Sequence, residues 1–150
     1  STPAQIFHLL RRQLVKKWRK PLIVMTPKSH LRPPTGYSSS LEELSHGTFR
    51  RLLPDVLKTT PHEVKRILVC TGKIYRELEL RRERLGRTDI AILRLEQLYP
   101  LPLEELRTEL QRYEPNTPVI FVQEEPEHMG AWRFLLTSFG PRLFDRHPFT

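Results

Sequence analysis

Residues Val119-Ile-Phe-Val122 form a short apolar run rich in β-branched side chains, and they are followed at once by Gln123, Glu124, Glu125 and Pro126. Such a run has the length and composition of a strand buried on both faces. The proline ends any ladder. Gly130 follows, and then Trp132, Leu135, Leu136 and Phe139 recur at i, i+3, i+4 and i+7, the spacing of an amphipathic helix. A buried strand that ends in carboxylates, a turn and a helix restricts the chain to an open α/β sheet. In such sheets ligands and partners are met at the carboxyl ends of the strands.

The same alternation recurs upstream. It predicts strands near 22–26, 67–70, 90–95 and 119–123, and helices near 3–17, 73–85, 102–112 and 130–138. Short strands separated by helices give a three-layer α/β domain with a mostly parallel sheet and right-handed crossovers. Thr2 reads as the first N-cap, with Pro3 at the first helical position and Gln5 closing a capping box. Phe7, Leu10, Leu14 and Trp18 are expected to line the buried face of that helix. In the later helices Ile74, Leu78 and Leu85, and then Leu103, Leu106, Leu110 and Tyr113, are expected to point inward. Ser40 caps a turn at Leu41–Leu44, a short edge strand lies within Thr48–Leu53, and Pro33–Ser40 is a loop. Trp132 is expected to be largely buried, with Gly130 turning the chain into its helix. Glu124 and Glu125 are expected to face a domain or subunit boundary within reach of Arg94 or Arg133.

Several chemistries are excluded by residue type. With one cysteine, Cys70, inside an apolar strand, no disulfide forms within the chain. The sequence has no apolar run of membrane-spanning length. The loop after the first predicted strand carries Lys28, His30 and Arg32 but no glycine-rich phosphate cradle. The six histidines are scattered without the spacing of a metal site. Glu124 and Glu125 are adjacent at a strand end, so they point opposite ways and converge on one substrate atom only with a bulge; hydrogen bonds from loop N–H groups or a neighbouring subunit are the expected use of the pair. Strand, Thr71-Gly72 and helix start at Lys73 suit either an anion or a tight turn. The net charge of +8 is spread along helix faces where Arg76, Arg81, Arg82, Arg84 and Arg87 mix with Glu77, Glu79 and Glu83, with Glu77 and Arg81 an i, i+4 pair. The first helix, with Arg11, Arg12, Lys16 and Lys17 on its polar side, reads either as a packing helix with a wet basic face or as an anion-binding surface. A free-standing basic α/β module that meets anionic ligands or RNA through these residues and Lys28 stays open as an alternative. Against RNA stands the absence of aromatic residues interleaved with the basic ones.

Five segments carry a family resemblance: Ser1–Gln5 with His8–Gln13, Lys20–Val24 with Thr26–Ser29 and Leu31-Arg32, Thr71–Tyr75, Arg94–Pro100, and Gln123–Pro126 with Gly130–Trp132. In that order the chain resembles the C-terminal region of the thiamin-diphosphate-dependent decarboxylase component of the 2-oxoglutarate dehydrogenase complex. Met129 is closer to the related 2-oxoadipate enzymes. The resemblance implies that 1–18 is the terminal helix of a preceding pyrimidine-binding domain, and that 19–150 is similar to the transketolase C-terminal domain with its final strand and helix missing. It implies a segment of a longer homodimeric enzyme that works with a lipoyl succinyltransferase, in the bacterial cytoplasm or the mitochondrial matrix, without nucleic acid or membrane. Thiamin diphosphate and Mg2+ are then expected elsewhere in the full-length enzyme, consistent with the lack of a Gly-Asp-Gly motif here, and the segment alone is expected to be inactive. No residue is assigned to catalysis or to cofactor binding. Arg12 and Lys20 match a possible effector or anion site, and Gln123, Glu124, Glu125, Gly130 and Trp132 an interface or structural role.

Overall fold

A computed structural model describes residues 2–18, 20–28, 38–56 and 60–150. The chain divides into two compact units, Ser1–Arg50 and Arg51–Thr150. Arg19, His30, Arg32 and most of the expected loop Pro33–Ser40 lie outside the described residues.

The first unit contains helices α1 (Pro3–Val15) and α2 (Leu41–Ser45). Thr2 caps α1 by accepting the Gln5 backbone N–H, and Ser40 and Glu43 form a reciprocal capping box on α2. Gln5 does not close the box on α1. Its side chain instead pairs with the Arg50 backbone, donating to the carbonyl at 2.7 Å and accepting the N–H at 2.9 Å. His8 is buried too, with Nε2 2.8 Å from the Glu43 carbonyl. Gly47 makes this approach possible, because a Cβ there would lie 2.7 Å from His8 Nε2 and 2.3 Å from the Glu43 carbonyl oxygen.

The expected inward stripe of α1 is therefore on the outside. Phe7, Leu10, Leu14 and Trp18 are 45%, 49%, 70% and 73% exposed, while Ala4, Gln5 and His8 are buried. Polar contacts to 43–50 set the rotation of the helix, and the periodicity does not. The strand expected at 22–26 is also absent. Residues 21–27 have no assigned secondary structure, and Leu22 to Met25 are all exposed. Among the described residues they have no ladder partner, and a strand exists only when its N–H and C=O groups are paired.

The second unit is built on a four-stranded sheet in the order β1–β3–β2–β4. Its strands are β1 (Leu52–Leu53), β2 (Arg66–Cys70), β3 (Ile90–Leu95) and β4 (Val119–Val122). β3, β2 and β4 are parallel, and β1 is the expected edge strand, paired antiparallel to β3 through Leu52 and Leu95. The sheet is mixed, with three of the four predicted parallel strands present. Helices α3 (Ile74–Arg84), α4 (Leu103–Leu110) and α5 (Trp132–Phe139) follow β2, β3 and β4 in turn. Ile67, Val69, Ala91, Leu93, Leu95, Val119 and Phe121 project from one face and pack with Leu106, Leu110 and Tyr113 after β3 and Leu135 on α5. Leu103, expected in this set, is 46% exposed.

The opposite face carries α3 and is more polar. Leu85, expected to point inward from α3, is 54% exposed, and the buried residue of the helix is Arg82. Its guanidinium meets both Asp55 carboxylate oxygens at 2.9 and 2.7 Å and the Ile90 carbonyl at 3.1 Å, and Asp55 also accepts the Ile92 N–H at 3.1 Å. A charge enters this layer because its partner is buried with it. Arg94 lies 3.9 Å above the Tyr75 ring. The i, i+4 pair Glu77–Arg81 does not form, and Arg76 pairs with Glu79 instead.

Beyond Phe139 the chain makes a hairpin of β5 (Arg142–Leu143) and β6 (His147–Pro148), which the sequence reading did not assign. His147 is fully buried, with its ring nitrogens 2.9 Å from the Thr117 carbonyl and 3.2 Å from that of Leu110. Burial pushes its pKa below the usual histidine value, against the pull of the two carbonyls. Phe149 then bridges to Val119 in parallel, and Thr150 exchanges backbone hydrogen bonds with residues Val119 and Phe121.

Candidate functional site

Because β2, β3 and β4 are parallel, their carboxyl ends fall on one edge of the sheet. The loops leaving them surround an open cleft of about 390 Å3. Thr71 after β2, Leu98 and Tyr99 after β3, Phe121 on β4, Glu125 in its loop and Phe134 on α5 contribute to its walls. The lining is mainly apolar and aromatic, with Thr71, Gln123 and one carboxylate among it.

Gln123 organises the loop from β4 to α5. Its amide nitrogen donates to the backbone carbonyls of Glu125, Pro126 and Met129 at 3.0–3.1 Å, and its Oε1 accepts the Trp132 N–H at 3.1 Å. One side chain thus closes a ten-residue loop and supplies the first helical N–H of α5 with an acceptor. Gly130 is part of the same device. It has φ +68°, and a Cβ there would lie 2.6 Å from Gln123 Oε1. Gln123, Gly130 and Trp132 are therefore brought together by direct contact. Trp132 is half-buried rather than enclosed, stacked on Phe121 with centroids 6.3 Å apart and tilted against Phe149 at 5.3 Å.

The two glutamates lie in a bend beyond the end of β4. Glu124 forms an ion pair of 2.5 Å with Lys73, and this contact raises the lysine pKa. Arg94 and Arg133 do not meet the pair: Arg94 is stacked on Tyr75. Glu125 lines the cleft, and its carboxylate adds to the field that raises the Lys73 pKa. Thr71-Gly72 is a tight turn with Gly72 at φ +70°, the second of its two expected readings. Cys70 is fully buried, and burial pushes its thiol up to about 12, so it is a core side chain and no nucleophile.

Arg12 and Lys20 belong to the first unit. The Arg12 guanidinium lies 4.0 Å over the Phe49 ring, and Gln13 donates to the Lys20 carbonyl while the Lys20 residue is exposed. Arg11 reaches the Gly47 carbonyl at 3.4 Å. Two of the basic residues expected on a free surface thus have contacts of their own within the unit. Leu98, Tyr99 and Phe134, which form the cleft walls, were missed as site residues. For Leu98 and Tyr99 the signal was present in the loop after the third strand, where they follow the polar Glu96-Gln97.

The geometry does not fit thiamin diphosphate. A diphosphate requires cations and N–H donors, yet the cleft presents a carboxylate and aromatic rings, and the neighbouring Lys73 is engaged by Glu124. Among the described residues no cluster of three acidic, histidine or cysteine side chains is arranged to hold a metal ion, and no helix is long and apolar enough to cross a membrane.

Residues 38–147 match the family model described as the 2-oxoglutarate dehydrogenase C-terminal domain. The chain is 48% identical over 134 residues to a 2-oxoglutarate dehydrogenase E1 component of Coxiella burnetii, covering 88% of this chain and 14% of that protein. It is 46% identical over 132 residues to the corresponding component of Haemophilus influenzae, with the same coverage. It is 47% identical over 146 residues to a 2-oxoadipate dehydrogenase complex component E1 of Xenopus laevis, covering 95% of this chain and 16% of that protein. The chain therefore spans about one-seventh of the length of these curated relatives. A match of this extent, on a mixed α/β sheet with its loops at the carboxyl edge, makes this chain a member of the 2-oxoglutarate dehydrogenase C-terminal family.

Proposed function

We propose that this chain acts as the C-terminal domain of an E1 decarboxylase component. In that role it supports dimer assembly and frames the active-site channel of an enzyme that oxidatively decarboxylates 2-oxoglutarate, or 2-oxoadipate, and hands the acyl group to a lipoyl carrier. The observation that carries the reading is the match itself: close identity along nearly the whole chain, against a small fraction of each relative. The cleft supports it in the same direction, since it lacks the groups that would hold a diphosphate. Thiamin diphosphate and Mg2+ would then bind other parts of the longer chain and supply the carbanion chemistry there. Gln123, Gly130 and Trp132 would keep the carboxyl-edge loop rigid, and Glu124 and Glu125 would stand at a domain or subunit boundary.

The exposed stripe Phe7, Leu10, Leu14 and Trp18 supports the division at residue 18, with α1 closing a preceding pyrimidine-binding domain. Residues 19–150 would form a domain similar to that of transketolase. The enzyme would be homodimeric, partnered by a lipoyl succinyltransferase, and placed in the tricarboxylic acid cycle in the cytoplasm or the mitochondrial matrix. Arg12 and Lys20 would serve as an anionic-effector site, with Arg12 leaving Phe49 on binding.

Two measurements test the reading. The full-length protein should release CO2 from 2-oxoglutarate or 2-oxoadipate with thiamin diphosphate and Mg2+ present, and the ratio of kcat/KM for the two acids assigns the substrate. The isolated 150-residue chain should give no heat on titration with thiamin diphosphate and Mg2+. Micromolar binding by the isolated chain, or a full-length protein inert on both acids, overturns the proposal.

A further inference from the structure

The cleft lies where the sheet changes sides. β2 and β4 are neighbours, yet α3 leaves β2 on one face of the sheet and α5 leaves β4 on the other. Their loops diverge and open a crevice between them, and in open α/β sheets such switch points are where ligands bind. The volume of about 390 Å3 falls in the range of small-molecule sites. Leu98, Tyr99, Phe121 and Phe134 form an apolar and aromatic wall, with Tyr99 85% exposed and Phe134 41%.

The polar end of the cleft offers acceptors. A Cβ on Gly130 would lie 2.6 Å from Gln123 Oε1 and 3.2 Å from Glu125 Oε2, so both oxygens border the space that this glycine leaves open. The Gln123 amide nitrogen is committed to the carbonyls of Glu125, Pro126 and Met129 and has no N–H left to offer. Its oxygen accepts from the Trp132 N–H and keeps a second lone pair. Glu125 adds a carboxylate, which only accepts, and the hydroxyls of Thr71 and Tyr99 serve either way. The charge of the loop is not cancelled. Lys73 is held by Glu124 at 2.5 Å and feels Glu125 through its field, so one cation stands against two carboxylates.

We propose that the cleft binds an organic cation, a protonated amine or guanidinium on an apolar stem, with its N–H groups on Glu125 and Gln123 Oε1 and its stem against Phe121, Phe134 and Tyr99. An anion would face a carboxylate, and a neutral ligand would shield that carboxylate from water without pairing it. Aromatic faces add their own attraction for a cation. The inference goes beyond the decarboxylase reading and does not rest on it.

Titration calorimetry of the full-length protein with 2-phenylethylamine tests this. The amine should bind with a dissociation constant of about 1 mM or lower. The neutral 2-phenylethanol and the anionic 3-phenylpropionate should each bind about tenfold more weakly or worse. Glu125→Gln should weaken the amine by about tenfold and leave the alcohol unchanged. Glu127→Gln removes a carboxylate from the same loop but not from this cleft, and should change amine binding by less than about twofold. Tyr99→Ala removes a ring that stands mostly in solvent, so the variant should melt like the parent and bind the amine about threefold more weakly. The same chemistry occurs on a polypeptide where arginine adjoins an aromatic residue. Acetyl-Phe-Arg-amide binding tighter than the amine assigns the cation to a polypeptide side chain, and weaker binding assigns it to a free amine. No heat at about 10 mM amine overturns the proposal. So does equal affinity for the alcohol or the acid, or binding that Glu125→Gln and Tyr99→Ala both leave intact. The readout needs neither thiamin diphosphate nor an oxo-acid, so it can fail while the decarboxylation assay succeeds, and the reverse.

Discussion

The two units bury opposite kinds of side chain. In Arg51–Thr150 the fully enclosed residues are largely aliphatic, Ile67, Ile92, Leu93, Leu106, Leu110 and Leu135 among them. Among the described residues of the first unit the buried ones are Ala4, Gln5 and His8, and the large apolar side chains of α1 face outward. The first unit is held by directed hydrogen bonds from Gln5 and His8 to the backbone of Arg50 and Glu43, and the second by area removed from water. Among its described residues the first unit has no aliphatic core, so burial of apolar area contributes little to it. The sheet unit carries its stability within itself.

The sharpest way to break the comparison is the buried Arg82–Asp55 ion pair of the aliphatic unit. Asp55→Ala strands Arg82 in the layer under α3 and removes the acceptor of the Ile92 N–H, and should cost about 3–5 kcal/mol in denaturant unfolding. A loss under ~1 kcal/mol would mean that the pair is solvated in solution. Next comes Leu93→Ala, which empties the centre of β3 and should cost about 2–5 kcal/mol as a core truncation. Gly130→Ala should cost about 1–3 kcal/mol, since alanine must hold a positive φ and displace Gln123. Its signature is local: the amides of 123–132 should exchange faster with solvent while β2 and β3 stay protected. If exchange accelerates everywhere, Gly130 supports the whole sheet and not the loop alone.

A smaller effect comes from His147. Its pKa is lower in the folded chain than in the unfolded one, so the unfolded state binds more protons as pH falls. Stability present above about pH 6.5 should decline below that value, down to the folded pKa. His147→Gln should flatten this part of the pH profile in thermal melts, and an unchanged slope would show that the imidazole does not titrate between the two states.

What could be read in the sequence divides along the same line. β2, β3, β4 and their helices follow from alternating apolar runs, because burial in the sheet unit obeys periodicity. Gly130 was legible as a turn, since few other residues hold a positive φ, but Gln123 as its clasp was not, because side-chain amides leave no periodic trace. The exchange of Leu85 for Arg82 on α3 was hidden because it depends on Asp55, 27 residues away. The hairpin at 142–148 was missed because its turn places Phe144 and Asp145 at φ 52° and 56°, where a glycine would have signalled it. The orientation of α1 was misjudged for the deepest reason: periodicity identifies an apolar face without identifying what covers it.

That point yields the smallest expected effect and the most decisive one for the comparison. Leu14 is 70% exposed, and Leu93 is fully buried, yet both are leucines in regular elements. Removing Leu14 Cγ and its methyls takes away almost no buried area in this chain, and leucine and alanine are both good helix formers. Leu14→Ala should therefore shift stability of the 150-residue chain by no more than about 0.5 kcal/mol. In a full-length protein where α1 packs against a preceding domain, the same change becomes a core truncation, and the loss should rise to about 2 kcal/mol or more. The difference between the two settings measures the cover directly. If Leu14→Ala already costs that much in the isolated chain, the stripe is buried within it and the contrast between the two units disappears.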